Sequence, residues 1–276
     1  MTQANSAHDK RYVDTRAGQV FCRCLGAGRP LLLVHWTPLS SRMYRHIMPL
    51  LAAQGFACIA PDLPGYGRSD PRPERWSMPE YAGVMLEVLD TLGHAQACVL
   101  GGHNGSSVAA EMARQAPERT TAVVLDGVPL LTPELRAAFA RLSTAARPAT
   151  RADGSHATQG FDTAVALLRE YIPGFEVSDE TLPLVYETLI DYLETDFVSS
   201  GPIAGAYDLA EALPELTRPV LLLGAERDSL AGNFAGATAL LTSPRTHLFA
   251  GHHPIHFPSR AAEYVEVIAD FLNTPD

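Results

Sequence analysis

The sequence has few cysteines, and their spacing excludes the common cysteine-based sites. Only four of the 276 residues are cysteine. Cys22 and Cys24 lie two apart on a predicted strand, but no second Cys-x-Cys or Cys-x-x-Cys motif accompanies them, as a zinc or redox site would require. We therefore expect reduced thiols in a cytoplasmic protein, and neither a metal nor another cofactor.

Positive charge and long apolar runs are also scarce. Lys and Arg number 21 against 31 Asp and Glu, which gives a net charge of -10, and no basic cluster typical of a nucleic-acid surface is present. No apolar run approaches the roughly 18 residues that span a bilayer, and residues 1–11 lack the apolar core of a signal peptide. The expected partner is a small-molecule substrate, with no nucleic acid and no membrane; monomer and homodimer both remain open.

The order of strands and helices indicates the fold class. A predicted hairpin at residues 12–27 is followed by the apolar run 30–34, which is typical of a strand covered on both faces. A helix is predicted at 41–54, and the strand-loop-helix order continues to a strand at 121–125 and returns at 219–224. This order predicts an α/β protein with a mostly parallel sheet and helices on both faces.

The strand-loop-helix order is interrupted between residues 131 and 214. Helical patterns occur there at 133–142, 161–171 and 178–193, without a convincing strand. We predict that 1–130 and 215–276 form the α/β core, and that 131–214 form a helical cap over the carboxyl ends of the strands.

A strand end runs through glycines into a helix at residues 99–107. Gly101 and Gly105 occupy the outer places of the small-x-centre-x-small pattern of a nucleophile elbow, where a strand turns sharply into a helix. The central residue is His103 instead of the usual serine; an alternative register would place Asn104 at the centre.

Five ordered features resemble the α/β-hydrolase superfamily over almost the whole chain. The resemblance extends to a branch whose elbow reads G-x-H-x-G, and the helix after the elbow matches the family only when His103 is central. The five features are His35-Trp36-Thr37-Pro38, the loop 62–69, the elbow, the loop 224–228 and Gly251-His252.

The resemblance implies roles for individual residues. His103 takes the catalytic centre, Asp228 the acid and His252 the general base, with Asp126 as an alternative acid. The backbone N–H groups of Trp36 and Asn104 would form an oxyanion hole, which stabilises negative charge on a carbonyl oxygen. Trp36 stands where the family usually has a small residue, so the shape of this hole departs from the family pattern.

Two further histidines are candidate substrate contacts. His35 either faces the substrate or holds its own loop by bonds to the backbone, and His156 either lines the pocket or is solvated. These two rings could converge with His103 and His252, but no ligand spacing such as H-x-x-x-H is joined to a third ligand, so we expect no metal site.

An elbow imidazole permits several reactions. It could attack a carbonyl and form an acyl-imidazole, act as a base on water together with His252, or move a proton in a non-hydrolytic reaction. We expect a hydrolase for a small, largely apolar ester, lactone or related carbonyl compound. The alternatives are a cofactor-free lyase, isomerase or cyclase, and a non-catalytic small-molecule-binding protein. Ester-forming dehalogenase or epoxide-hydrolase chemistry is disfavoured because it requires a carboxylate at the elbow.

Overall fold

An eight-stranded sheet organises the chain, in the order β1-β2-β4-β3-β5-β6-β7-β8. The computed structural model describes residues 9–73, 76–139, 150–194, 200–254 and 259–274. The strands are β1 (Asp9–Thr15), β2 (Gly18–Leu25), β3 (Arg29–Val34), β4 (Phe56–Pro61), β5 (Ala97–Gly102), β6 (Thr120–Asp126), β7 (Val220–Ala225) and β8 (Arg245–Phe249).

The pairing confirms a mostly parallel sheet. β1 and β2 form the predicted antiparallel hairpin, β2 pairs antiparallel with β4, and the remaining neighbours are parallel. Val34 is paired with Gly101, and Gly102 with Asp126. The carboxyl ends of β3, β5 and β6 therefore meet at one edge, so the residues that follow these strands are close together.

Helices cover both faces of the sheet. One apolar cluster packs the helices Met78–Thr91 and Asn104–Gln115 against the sheet, and the other packs Met48–Ala53 and Ala261–Asn273 against the opposite face. The helices are α1 (Met48–Ala53), α2 (Met78–Thr91), α3 (Asn104–Gln115), α4 (Pro133–Phe139), α5 (Ser155–Tyr171), α6 (Leu182–Glu194), α7 (Ser200–Ala206), α8 (Leu209–Ala212), α9 (Phe234–Leu240) and α10 (Ala261–Asn273).

The predicted helix at 41–54 is wrong in its first half. A short 3-10 turn spans Ser41–Tyr44, and α1 begins only at Met48. Pro49 lies in the first turn of α1, where its missing N–H group is tolerated. Since proline would break the hydrogen-bond ladder of a longer helix, the apolar spacing alone overestimated its length.

The segment between β6 and β7 is helical where the structure describes it. α4 corresponds to the helix predicted at 133–142, of which residues 140–142 lie outside the described residues. α5 begins at Ser155, six residues before the predicted start, directly after Gly154 in the left-handed region with φ 75°. α6 matches the prediction for 178–193 with a later start, whereas α7 and α8 were not predicted. The division into core and cap remains a prediction.

Polar contacts join α6 to the loop after β3. Asp191 accepts hydrogen bonds from the Ser40 N–H at 3.0 Å and the Ser40 hydroxyl at 2.9 Å, and Arg42 lies 3.7 Å from its carboxylate. Asp191 is 1% exposed. Burial outweighs these favourable contacts and raises the pKa of Asp191 to about 7.

This burial predicts a pH-dependent stability. An unfolded aspartate has a pKa of about 4, so between roughly pH 4 and 7 the folded state holds a proton that the unfolded state has lost. The stability contribution of Asp191 is therefore greatest at low pH and falls as pH rises towards 7. Asp191→Asn should flatten this part of the dependence of thermal midpoint on pH.

The matched control is Asp162→Asn, at an exposed position of α5. Thermal unfolding from pH 5 to 8 should give the wild-type slope for this control. An Asp191→Asn variant with the same slope as the control would contradict the prediction.

Within the described ranges, no helix is both long and apolar enough to cross a membrane. The expected cytoplasmic location remains a prediction.

Candidate active site

The turn between β5 and α3 places His103 in a strained conformation. His103 has φ 47° and ψ -119°, a region that non-glycine residues rarely occupy. A Cβ atom on Gly101 would lie 2.0 Å from the Gly105 carbonyl oxygen, and one on Gly105 would lie 2.2 Å from the Val34 oxygen. Glycine is therefore required at both flanks, because backbone segments approach each other closely there.

His103 forms a buried pair with Asp228. The imidazole Nε2 lies 2.9 Å from the carboxylate Oδ2, and the two side chains are 7% and 1% exposed. The other carboxylate oxygen, Oδ1, accepts the Leu230 N–H at 2.9 Å. A carboxylate oxygen accepts, so in the tautomer that makes this bond Nε2 is the donor and Nδ1 is the nitrogen with the lone pair.

Asp126 has different partners. Its carboxylate accepts the Tyr264 hydroxyl at 2.9 Å, and its backbone oxygen accepts the His103 N–H at 2.8 Å. Burial and the nearby Asp126 charge raise the pKa of Tyr264 well above its ordinary value. Asp228 is the acid within hydrogen-bond distance of the His103 imidazole, and the choice between the two acids remains a prediction.

His252, which follows β8, contacts residues at the start of α10. Its Nε2 accepts the Arg260 Nε–H at 3.1 Å and lies 3.5 Å from Glu263, and its Nδ1 is 3.4 Å from the His253 carbonyl oxygen. The structure gives the Asp228 carboxylate a hydrogen bond to His103, and the role of His252 as general base remains a prediction.

His35 is bound to the backbone. Its Nε2 accepts the Leu63 N–H at 2.9 Å, and its Nδ1 lies 2.8 Å from the Trp36 carbonyl oxygen, to which it donates. The ring is fully buried, and burial lowers its pKa. Nε2 joins the loop after β3 to the loop after β4, and Nδ1 bonds within its own loop, which supports the loop-holding role; a contact of His35 with substrate remains a prediction.

His156 is in the first turn of α5 and is half-exposed. Its Nδ1 accepts the Arg151 N–H at 3.1 Å. This bond is local to the start of the helix, so the structure gives no contact that joins His156 to His103.

The two expected oxyanion donors lie on connected segments. Asn104 is the first residue of α3, where backbone N–H groups have no acceptor within the helix. Its side-chain amide donates to the Thr37 hydroxyl at 2.7 Å, next to Trp36. This bond fixes the elbow relative to the loop that carries Trp36, as a shared oxyanion hole would require.

Tyr171 was not identified from the sequence. Its ring centroid is 5.9 Å from that of His103 and 5.6 Å from that of Trp36, whose own ring lies 3.9 Å from His103. Tyr171 is the last residue of α5, and its carbonyl oxygen accepts the Ser229 N–H at 3.1 Å. No local pattern marks it, because the contact depends on how α5 packs over the sheet.

Gly127 was also missed, although its place directly after β6 was a usable signal. A Cβ atom there would lie 2.6 Å from the His103 ring and 2.8 Å from the Asp228 carboxylate, and its φ is 61°. Glycine at this position leaves room for the pair.

No group of three or more His, Cys, Asp or Glu side chains in the described part of the chain could hold a metal ion.

Comparison with known proteins supports the fold. A family model described as alpha/beta hydrolase fold matches residues 29–240, which is more than half of the chain. Among solved structures, the enol-lactonase from Burkholderia xenovorans LB400 superposes with a TM-score of 0.80 at 18% identity, covering 96% of this chain and all of that one. The predicted fold is confirmed.

Curated relatives match over shorter stretches. An uncharacterised hydrolase of Saccharomyces cerevisiae is 39% identical over 100 residues, which are 36% of this chain and 34% of the relative. Haloalkane dehalogenase 2 of Mycobacterium tuberculosis is 32% identical over 118 residues, or 42% of this chain and 41% of the relative. The chain thus spans between a third and a half of the length of these relatives.

Proposed function

Since the chain belongs to the α/β-hydrolase fold family, we propose that it is a hydrolase for a small, largely apolar ester, lactone or related carbonyl compound. The observation that carries the proposal is the buried hydrogen bond between His103 Nε2 and Asp228. An aspartate that holds one imidazole nitrogen leaves the other as a positioned base, and this is the arrangement of general-base catalysis.

The proposed reaction uses water as the nucleophile. His103 Nδ1 removes a proton from water while the water oxygen bonds to the substrate carbonyl carbon, and Asp228 stabilises the imidazolium that results. The backbone N–H groups of Trp36 and Asn104 stabilise the oxyanion. When the tetrahedral intermediate collapses, the bond to the leaving alkoxide breaks, and the alkoxide takes the proton from His103.

Direct attack by Nδ1 is the second route. The same lone pair could bond to the carbonyl carbon and expel the alkoxide, giving an acyl-imidazolium that keeps its Nε2 proton. The alkoxide takes a proton from a water molecule, and the resulting hydroxide bonds to the acyl carbon and releases the neutral imidazole. Intact-protein mass spectrometry of samples quenched during the first turnover distinguishes the routes. We expect no added acyl mass; a transient mass increase equal to the acyl group on wild-type protein, absent from His103→Ala, would indicate the acyl-imidazole.

His252 is the second candidate base. Its Nε2 would have to release Arg260 before it could serve a substrate near His103. If His103 is the base, His252→Ala should retain most of the activity.

The helices between β6 and β7 would act as the cap. Tyr171 at the end of α5 covers His103 and Trp36, which supports this role. The same cover favours one non-catalytic alternative, a small-molecule-binding protein whose ligand is enclosed by the aromatic side chains.

Activated esters and lactones test the proposal directly. Protein purified without a histidine tag should hydrolyse at least one member of a panel of p-nitrophenyl esters and five- and six-membered lactones, and His103→Ala should not. A parent protein that is inert towards the panel, binds its members, and gains activity as His103→Ser would contradict hydrolysis and favour the binding protein.

Gly127→Ala should lower activity by displacing the catalytic pair. The added Cβ would lie 2.6 Å from the His103 ring, so His103 or Asp228 must move by a few tenths of an ångström or more. Misplacement of a catalytic group by about 1 Å can reduce rate roughly 100-fold, so we expect a 10- to 100-fold loss in kcat/KM.

Gly93→Ala is the matched control for this substitution. Gly93 has φ 79°, and nothing lies within 4 Å of its Cβ position, so it carries a similar backbone strain away from the pair. Both variants carry the strain of a positive φ, but only Gly127→Ala adds a clash with the pair, so only Gly127→Ala should lose activity. Equal activities in the two variants would contradict the account of Gly127.

A further inference from the structure

The Trp36 side chain has a buried hydrogen-bond donor without an acceptor. Trp36 is 3% exposed, and no protein group among the described residues accepts a hydrogen bond from its indole Nε1. An unpaired buried N–H group is unfavourable, because the donor has lost its bonds to water without gaining a replacement.

The donor belongs to the ring that lies against His103. The two ring centroids are 3.9 Å apart with an interplanar angle of 72°, and Tyr171 covers the indole at 5.6 Å. The rings of Trp36, His103 and Tyr171 therefore form a triangle of mutual contacts, so the unpaired donor belongs to the group that surrounds the candidate base.

Neighbouring polar side chains already have partners. The Asp228 carboxylate accepts from His103 and Leu230, and the Asn104 amide donates to Thr37. Beside these bonds lie the lone pair of His103 Nδ1 and the buried Trp36 N–H, from which no described residue accepts a hydrogen bond. The Nδ1 lone pair can accept a proton from water, and the indole N–H can donate a hydrogen bond to a carbonyl oxygen. Together they match a water molecule that lies next to the carbonyl group of a substrate.

We propose that the Trp36 indole N–H binds the substrate carbonyl oxygen and stabilises it as it becomes the oxyanion. Indole only donates, so the site would select a ligand with an acceptor oxygen at this point and not a hydrocarbon of the same shape. The inference rests on the proposed function for its kinetic part, and adds a side-chain donor to the backbone donors of the oxyanion hole.

Trp36→Phe removes the N–H group and keeps an aromatic ring. Loss of one oxyanion donor typically lowers kcat 100-fold or more, so we expect kcat/KM for the best ester or lactone to fall roughly 100-fold. KM should rise by no more than about tenfold, because the bond is stronger to an oxyanion than to a neutral carbonyl.

The chain offers a matched control in its second tryptophan. Trp76 also has a buried Nε1 without an acceptor among the described residues, and it packs against Tyr81 at 5.7 Å. Trp76→Phe should leave kcat and KM unchanged. If Trp36→Phe behaves like Trp76→Phe while His103→Ala is inactive, the donor role of Trp36 is wrong and the proposed hydrolase stands.

A binding experiment separates the two proposals without turnover. The chain has two tryptophans, so Trp36 is the only tryptophan left in Trp76→Phe. Fluorescence emission from this variant therefore reports on the site. Acetophenone should shift the emission, and calorimetry should show that Trp36→Phe weakens acetophenone binding roughly three- to tenfold while ethylbenzene, which lacks the oxygen, is unaffected.

Each outcome decides one assignment. If no ester or lactone is hydrolysed but the preference for acetophenone over ethylbenzene disappears in Trp36→Phe, the donor role of Trp36 is supported and the proposed hydrolase function is wrong. The donor role of Trp36 would be wrong if acetophenone fails to bind, or if Trp36→Phe changes the binding of acetophenone and ethylbenzene equally.

Discussion

His103→Ala should lower kcat/KM for the best ester or lactone substrate at least 1,000-fold, within the range that general-base catalysis contributes. The variant removes the imidazole that Asp228 holds through Nε2 at 2.9 Å. Steady-state kinetics measures the loss, and circular dichroism checks that the fold is retained.

His103→Gly is the control for backbone strain. The φ of 47° suits glycine better than alanine, so the glycine variant should unfold at the same or a higher temperature than His103→Ala, with equally low activity. His103→Gly with near wild-type activity would exclude the imidazole from the reaction.

Asp228→Asn should have the second largest effect, a loss of about 1,000- to 10,000-fold in kcat. The asparagine amide can donate to Nε2, and the imidazole would then carry its proton on Nδ1 and lose the basic lone pair that faces the reaction. The charge that stabilises the imidazolium is also lost. A loss of this size from the same change in the aspartate of a serine-protease triad is a known precedent.

Asp126→Asn tests whether the effect is specific to Asp228. Asp126 accepts the Tyr264 hydroxyl, and an asparagine oxygen can accept the same bond. We expect Asp126→Asn to keep kcat within about tenfold of wild type. If Asp126→Asn is the more damaging change, Asp126 and not Asp228 supports the base.

The sheet and the elbow were predictable from sequence because their signals are local. The apolar run of β3 is what a strand covered on both faces requires. Glycine is needed at 101 and 105 because a Cβ atom at these positions would lie 2.0 Å and 2.2 Å from a backbone oxygen. Such constraints show in short runs of the chain, so a pattern of residues suffices to identify them.

The partner of Asp228 was not predictable in the same way. The resemblance paired Asp228 with His252, which lie on adjacent loops, whereas the structure shows a hydrogen bond between Asp228 and His103. Such a choice between two histidines depends on side-chain geometry across more than one loop. The contacts of Tyr171 and Asp191 depend likewise on how helices distant in sequence pack over the sheet.

A double-mutant cycle in kcat/KM, with His103→Ala, Asp228→Asn and both together, tests the catalytic pair most directly. If Asp228 acts only through His103, the double variant should be no slower than His103→Ala, and His252→Ala should remain close to wild type. The account would be contradicted if the two losses multiply in the double variant, or if His252→Ala is inactive while His103→Ala retains activity.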